Sequence, residues 1–532
     1  MRRGPLPPPF WRGIFGPMLD SEHRFGAILG ALALWCGLIL GCSPREPTEA
    51  GKAVQAQVVE PTEPASPPPR LIMIVSIDTL RADHLGLYGY GRLTSPTLDL
   101  FASEGSVFTD ASSTSPWTLP AHASMLTGRN PMSHGVMRFD SALPSEIDSL
   151  AGLLKKQGYE TAAVVNSTWL KKEPYRLTRD FDQYLFVDDT MDRRAPNTWI
   201  TEQAMTWIRE RGEKPLFLFV HYYDVHADYA SLPEYEKLFV TEYDGEVDGT
   251  AWQLATASFE DDFLEMCHKE YDPMKCRIGS LENYMAVDRS VQKLILDDAD
   301  LEYLEQLYDS GIRQLDAELG RLFSAVEREG LGDESLMVIV SDHGEEFMEH
   351  GRVDHFLTVY QEILRVPLIF RGRGIPAGRR IDTPVSVIDI APTILSAAGI
   401  PPSKGIEGLD LMSLMKGDDP AGFGERFLYG EAAGGLSYEL MMNNIYPVYR
   451  SVRRGPHKLI YDSKLEEAWL YDLSQDPYEQ NDIRAENPEI AQALLEEMRS
   501  RYSEFAPAPA PENQIDLESE ELERLRALGY IR

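Results

Sequence analysis

Three stretches of this chain are apolar at almost every position and rich in β-branched residues. Leu71-Ile72-Met73-Ile74-Val75-Ser76-Ile77 runs into Asp78, Pro215-Leu216-Phe217-Leu218-Phe219-Val220 runs into His221, and Ser335-Leu336-Met337-Val338-Ile339-Val340-Ser341 runs into Asp342-His343. A strand that is apolar throughout is covered on both faces, as the strands of a parallel sheet are. Residues 161–165 and 366–370 read as further strands of this kind. Between them, apolar residues at helical spacing predict helices over 98–104, 147–156, 198–209 and 297–322, with Gly158 stopping the second and Asp316 lying on the last. Ser386 to Leu395 continues the core as strand and helix, with Asp389 as a helix cap. Strand and helix therefore alternate, and the fold expected is an α/β three-layer sandwich around a central mixed, largely parallel sheet.

From about residue 424 the period becomes two. Residues 448–453, 457–462 and 469–473 alternate, Asp476-Pro477 makes a turn, and a helix follows over 488–505. This predicts a small C-terminal α+β subdomain over 424–505 with an antiparallel sheet, then a Pro-Ala linker and a terminal amphipathic helix over 506–532. At the other end, the uncharged run 25–41 follows Arg2, Arg3, Arg12 and Arg24 and closes on Leu38-Ile39-Leu40-Gly41-Cys42-Ser43. The run is short for a membrane span and suits an export signal. Its end resembles a bacterial lipobox, which implies a lipoprotein signal peptide over 1–41 and a lipid on Cys42. A plain membrane anchor and an uncleaved signal are the alternatives. All three place the bulk of the chain outside the cytoplasm, and the lipid would fix it to the bacterial cell envelope, facing the periplasm or the outside. Residues 42–70 are a Pro-rich tether. The main domain is then 71–423, with the acidic, aromatic stretch of about 230–300 expected as an insertion over the cleft.

The 532 residues carry a formal charge of −34. Such a chain repels phosphate backbones, so no nucleic-acid partner is expected, and the acids read as a solubilising surface. Cys267 and Cys276 are expected to form a loop disulfide in an exported protein. A metal site with His268 is the alternative, but two thiols and one imidazole leave a tetrahedral set incomplete.

Candidate chemistry gathers at the strand ends, where open α/β sheets carry their sites. In Ser115-Pro116-Trp117-Thr118-Leu119-Pro120-Ala121-His122, the proline marks a helix start and puts Thr118 at its N-terminus. There a hydroxyl is either an ordinary cap or a group beside an oxyanion site. After the strand that begins at Pro215 comes His221-Tyr222-Tyr223-Asp224-Val225-His226-Ala227-Asp228. His226 is the histidine chosen there as functional, while His221, nearer the strand body, reads as structural.

Several blocks in one order resemble the sulfatases, within the alkaline phosphatase superfamily. They are Ile77-Asp78-Thr79-Leu80-Arg81-Ala82-Asp83-His84, Gly89-Tyr90, Thr94-Ser95-Pro96-Thr97-Leu98, Leu126-Thr127-Gly128-Arg129 and Ser341-Asp342-His343-Gly344. The resemblance runs from about Leu71 to the C-terminus and implies a metal-dependent ester hydrolase. It implies a divalent ion held by Asp78, Asp342 and His343, with Thr118 completing the set, and it places His226 against the ester. His355, thirteen residues after Asp342, matches a metal- or phosphoryl-contacting histidine of the related phosphoethanolamine transferases. The sequence also departs from the family. Sulfatases carry Cys-x-Pro-x-Arg, whose cysteine is oxidised to formylglycine, and here the positions read Thr118-Leu119-Pro120-Ala121-His122. The sulfate-binding Lys and His fall on Asn166 and Thr168, and the second aspartate of an Asp-Asp pair falls on Thr79.

Threonine needs a Lewis acid to ionise near neutral pH. A mixed oxygen and nitrogen set suits zinc or manganese better than calcium or magnesium. His226 and His355 would hold a second ion, or would contact the ester oxygens and protonate the leaving group, with His122 as a further catalytic candidate. Three readings follow. The first is hydrolysis of an anionic sulfate or phosphate ester through Thr118. The second is transfer of a phospho-headgroup, against which the lack of a multi-helix membrane domain weighs. The third is an inactive, lipid-tethered binding protein, against which retention of the whole constellation weighs.

Overall fold

Strand β1 (Leu71–Ile77) is the centre of the main sheet, buried at every position. The computed structural model of the chain describes residues 67–504, apart from 139, 188–195, 260, 272–275, 280–283, 288, 356, 419, 421 and 433–447. The expected signal peptide, Cys42, most of the tether and the 506–532 segment lie outside the described residues.

The other strands are β2 (Ser106–Ser112), β3 (Glu160–Val165), β4 (Gln183–Phe186), β5 (Leu216–Tyr222), the short hairpin β6 (Arg277–Gly279) and β7 (Tyr284–Ala286), β8 (Ser335–Ser341), the hairpin β9 (Glu346–Phe347) and β10 (Val353–Asp354), β11 (Arg365–Gly372), β12 (Arg379–Ile381) and β13 (Val385–Ser386). Among the described residues the main sheet has nine strands in the order β12-β2-β11-β8-β1-β5-β3-β4, with β13 also on β2. All its pairings are parallel except the two made by β11, so the sheet is mixed and largely parallel, as the pattern predicts.

Alternate residues of each strand face opposite sides. Ile72, Ile74, Phe217, Phe219, Val338 and Val340 enter one apolar cluster with residues of the helices Thr118–Thr127, Leu150–Lys156 and Ile390–Ala397. Leu71, Met73, Val75, Leu218, Met337 and Ile339 enter the other with residues of Pro96–Ser103, Pro196–Glu210 and Asp298–Arg328. This is the three-layer sandwich. The long helix starts at a capping box in which Asp297 accepts from the backbone of Ala299 and Asp300; it outruns its expected end by six residues, through Arg328. Asp389 caps as expected, through a capping box with Ser386 at the 3-10 turn Val387–Asp389 that runs into the helix Ile390–Ala397. Its carboxylate accepts from Ser386 N and also from Leu409 N and Arg426, which ties the helix Ile390–Ala397 to the segment entering the second sheet.

That second sheet is antiparallel, in the order β14 (Phe427–Ala432), β15 (Tyr449–Arg454), β16 (His457–Asp462) and β17 (Glu467–Asp472). The helix Pro488–Glu504 packs on it through Ala491, Leu494 and Met498. Arg453 pairs with Asp110 of β2 and buried Lys458 with Glu479, at 2.8 Å. No described helix is long and apolar enough to cross a membrane.

The 230–300 stretch folds as the helices Pro233–Phe239, Ala251–Ala257 and Asp261–Lys269 with the β6–β7 hairpin. Phe259 and Phe263 enter one apolar cluster and Val247 and Leu254 the other, so the stretch is built into the body of the domain. Ser258 Oγ donates to Val353 O of β10 at 2.7 Å. Cys267 and Cys276 form a disulfide, and His268 Nε2 instead meets the carbonyl of Val291 at 3.0 Å. Closing a loop of this length restricts the unfolded chain by about 2–3 kcal/mol. The paired substitution Cys267→Ser with Cys276→Ser should therefore lower the thermal midpoint by several degrees, and reductant should do the same to the wild type but not to the variant; scanning calorimetry with and without reductant reads both.

Candidate active site

Parallel pairing fixes the site. Ile77 of β1 lies opposite Tyr222 of β5 and Ser341 of β8, so Asp78, the loop from Tyr223 and Asp342-His343 leave the sheet at one edge. Ser341 Oγ stitches two of these ends together. It accepts from Leu80 N at 2.9 Å and lies 2.7 Å from the carbonyl of Ile77 and 2.6 Å from that of His343. Thr79, just after Asp78, has φ of 54°. For a β-branched residue this is a strained backbone, at a cost of about 1–3 kcal/mol. It is held by Tyr308, whose hydroxyl donates to Thr79 O at 2.7 Å and accepts from Arg81 N at 2.8 Å.

Thr118 is the first residue of its helix, and its hydroxyl does not cap it. Oγ1 instead points to Asp78 Oδ2, at 3.4 Å. One turn on, His122 Nδ1 donates to the carbonyl of Thr118 at 2.8 Å, and Nε2 pairs with Ser76 Oγ at 2.8 Å. Both ring nitrogens are therefore engaged, and His122, expected as a catalytic group, stands as a support behind Thr118. Burial, with His221 nearby, pushes its pKa down to about 3, so the ring is neutral.

Asp78, Asp342 and His343 come together as expected, with ligand atoms within 4.8 Å of one another and no exposure. His343 Nδ1 donates to Gly344 O at 3.0 Å, so Nε2 carries the lone pair. That nitrogen lies 3.5 Å from both Asp78 Oδ1 and Asp342 Oδ2. Among the described residues none of these three atoms has a hydrogen-bond partner. Acceptors converging on one buried point are what a cation site looks like without its proton donors. The charges agree. Burial pushes Asp78 up, but His221, His226 and His343 outweigh it and hold it below the usual carboxylate range. Asp342 is driven well above that range by burial and by Asp78. Burial and His355 hold His343 well below its usual value, so it is a neutral ligand. The residues fit a divalent ion.

His226 and His355 complete the cluster. Their rings are 4.7 Å apart, and the His355 ring is 4.5 Å from that of His343. His226 Nδ1 donates to Ala227 O, and burial with His355 pushes this group down to about 4. His355 Nδ1 faces Glu345 Oε1 at 3.0 Å and Asp354 Oδ1 at 2.8 Å. Burial opposes its charge, but those carboxylates raise it well above its usual value. The structure adds three groups that the sequence reading passed over. Glu345 was hidden beside Asp342-His343. Asn166 was noted only as a departure. His221, read as structural, is fully buried in the site with Nε2 3.5 Å from Asp78 Oδ2.

Residues 70–400 match the family described as Sulfatase, and residues 348–506 match the C-terminal region described for N-sulphoglucosamine sulphohydrolase. The chain belongs to the sulfatase family. It is 26% identical over 459 residues to an ulvan-active sulfatase of Formosa agariphila, covering 80% of this chain and 78% of that protein. Its fold is similar to that of a protein solved with its substrate D-glucosamine-2-N,6-O-disulfate (TM-score 0.64, 20% identity, 83% of this chain and 98% of the other). It is equally similar to the phosphonate monoester hydrolase of Agrobacterium radiobacter (TM-score 0.64, 19% identity, 85% and 100%). This sulfatase is thus an ester hydrolase by family, and sulfatases are metal-dependent. Ligand at a hundredfold excess over Kd stabilises a native state by about 2.7 kcal/mol. Zinc or manganese should therefore raise the thermal midpoint of the chelator-stripped protein, and Asp342→Ala should abolish the rise; differential scanning fluorimetry with each ion checks this.

Proposed function

We propose that this sulfatase hydrolyses a sulfate or phosphate ester with Thr118 as nucleophile in place of formylglycine. The observation that carries the reading is the buried Thr118 hydroxyl, 3.4 Å from Asp78 Oδ2 at the edge where Asp342 and His343 converge. A divalent cation held by Asp78, Asp342 and His343, with zinc or manganese favoured by the mixed donor set, supplies the charge that lets a threonine hydroxyl ionise and that polarises the ester. The backbone N–H groups of the first turn after Trp117 orient the non-bridging oxygens. His122, bonded to Thr118 O, fixes the turn that carries the nucleophile. Thr118 Oγ1 forms a bond to sulfur or phosphorus as the bond to the ester oxygen breaks. His355, as imidazolium held by Glu345 and Asp354, gives that oxygen its proton. His226, neutral, keeps an acceptor nitrogen toward the substrate. The Thr118 proton passes to solvent as its oxygen bonds; water then attacks the sulfur or phosphorus as the bond to Thr118 Oγ1 breaks, one water proton restoring the Thr118 hydroxyl and the other re-protonating His355, and the free anion leaves. An acceptor alcohol in place of water would make the same centre a transferase.

The curated relative and the disulfated-glucosamine complex favour a sulfated saccharide as substrate; the fold shared with a phosphonate monoester hydrolase and the threonine itself favour phospho-esters. The protein is placed at the bacterial cell envelope through a lipid on Cys42, a reading supported by the lipobox-like end of the apolar run and compatible with the Cys267–Cys276 disulfide.

Thr118→Ala should lower kcat at least about 10³-fold on the preferred ester, and Thr118→Ser should keep part of it. Steady-state assays on 4-nitrophenyl sulfate, 4-nitrophenyl phosphate and bis(4-nitrophenyl) phosphate rank the classes; sulfate turnover that survives in Thr118→Ala would overturn the nucleophile. His355→Gln should slow esters of poor leaving groups far more than nitrophenyl esters. Because its raised pKa keeps His355 protonated at neutral pH, wild-type turnover of alkyl esters should fall as pH rises through that pKa, and the fall should vanish in the variant. Leaving-group and pH profiles measured together test both.

A further inference from the structure

We infer that His221 is a nitrogen ligand of the metal centre, on the side of Asp78 that carries the Thr118 hydroxyl. The inference rests on the metal centre itself and not on which ester is cleaved. His221 is the penultimate residue of β5, in register with Ser76, and is fully buried. Its Nδ1 lies 3.3 Å from Asn166 Oδ1, which can only accept, so Nδ1 carries the proton and Nε2 the lone pair. Nε2 faces Asp78 Oδ2 at 3.5 Å and has no hydrogen-bond partner among the described residues. The spacing is that of two ligands of one ion. Donors about 2.0–2.2 Å from a tetrahedral metal stand about 3.3–3.6 Å apart. His343 Nε2 keeps the same 3.5 Å from Asp78 Oδ1. Each oxygen of Asp78 therefore faces one imidazole lone pair, and Thr118 Oγ1 lies 3.4 Å from the oxygen that faces His221.

The neighbouring histidine is not an equivalent candidate. His122 is grouped with His221 and Asp342 within 4.8 Å, but its nitrogens are taken by Ser76 and Thr118 O. Asn166 is the positioning residue for His221, since its carbonyl holds the proton on Nδ1 and leaves Nε2 to bind. A second imidazole beside the carboxylates makes the donor set mixed oxygen and nitrogen, which selects a transition ion over calcium.

The test uses the full exported chain, stripped with chelator and titrated with Co²⁺ and Zn²⁺ by visible absorption and calorimetry in the absence of any ester. His221→Gln should weaken Zn²⁺ binding at least about 100-fold and change the Co²⁺ spectrum. Asn166→Leu, which leaves the ligand in place, should weaken it about tenfold. Circular dichroism confirms that each variant is folded, and if His221→Gln fails to fold, Asn166→Leu decides alone. Wild-type affinity and spectrum in folded His221→Gln, or in Asn166→Leu where only it folds, would overturn the inference while leaving the metal centre intact. A wild-type chain that binds neither ion would overturn both.

Discussion

Two buried carboxylates that face each other govern this site. Like charges within 4.8 Å of one another repel by at least about 3 kcal/mol even at an effective dielectric of about 20. Asp78 and Asp342 answer by dividing, one held below the usual carboxylate range and the other driven well above it. The imidazole nearest both, His343, is kept neutral by burial and turns a lone pair toward them. Such an arrangement is costly as it stands and becomes favourable only around a cation.

The sheet makes the repulsion unavoidable. Parallel pairing of β8, β1 and β5 aligns Ser341, Ile77 and Tyr222, so residues one step beyond each strand must meet. The backbone at Thr79 is strained to turn away within one residue, and Tyr308 and Ser341 hold the turn closed. Arg81, itself buried, then reaches Glu345 O and Glu349 and joins the loop after β1 to the loop after β8. The carboxylates are thus held by strands and loops that are themselves cross-tied, and a rigid frame of this kind keeps ligands poised without a large reorganisation on binding.

The strands and their order of chemistry were legible because burial on both faces leaves an unbroken apolar run, and the residue that ends the run is the one delivered to the edge. That Asp78, Asp342, His343, Thr118, His226 and His355 gather at one edge could be expected on that ground and by resemblance. The strand β2, which mixes polar residues into Ser106–Ser112, and the edge strand β4 gave no such run and were missed. His221 was misplaced because it lies within the strand, where sequence position argues for packing; only the pairing of β5 with β1 shows that its ring reaches Asp78. His122 was over-read for the opposite reason. Its position in the Thr118 block suggested chemistry, and only the bonds to Ser76 and to Thr118 O reveal a supporting role. Asp389 likewise needed the distant Leu409 and Arg426 to be understood.

The departures from the sulfatase pattern are not scattered. By the motif resemblance Thr118, His122 and Asn166 fall where the family carries cysteine, arginine and lysine, and in the fold they are linked: Thr118 to Asp78, His122 to the Thr118 carbonyl, Asn166 to His221, and His221 back to Asp78. Loss of a formylglycine alone would be compatible with decay of the site. Decay predicts loosely packed remnants. What stands here instead is a fully buried cluster in which, by that resemblance, two cationic positions carry neutral side chains, each with a partner. Removing two fixed positive charges from beside the carboxylates leaves the cation as the main counter-charge. In the proposed reaction a bound ion would then do the activating that the family's own cations share, which is the change a threonine hydroxyl, unlike a formylglycine hydrate, would require.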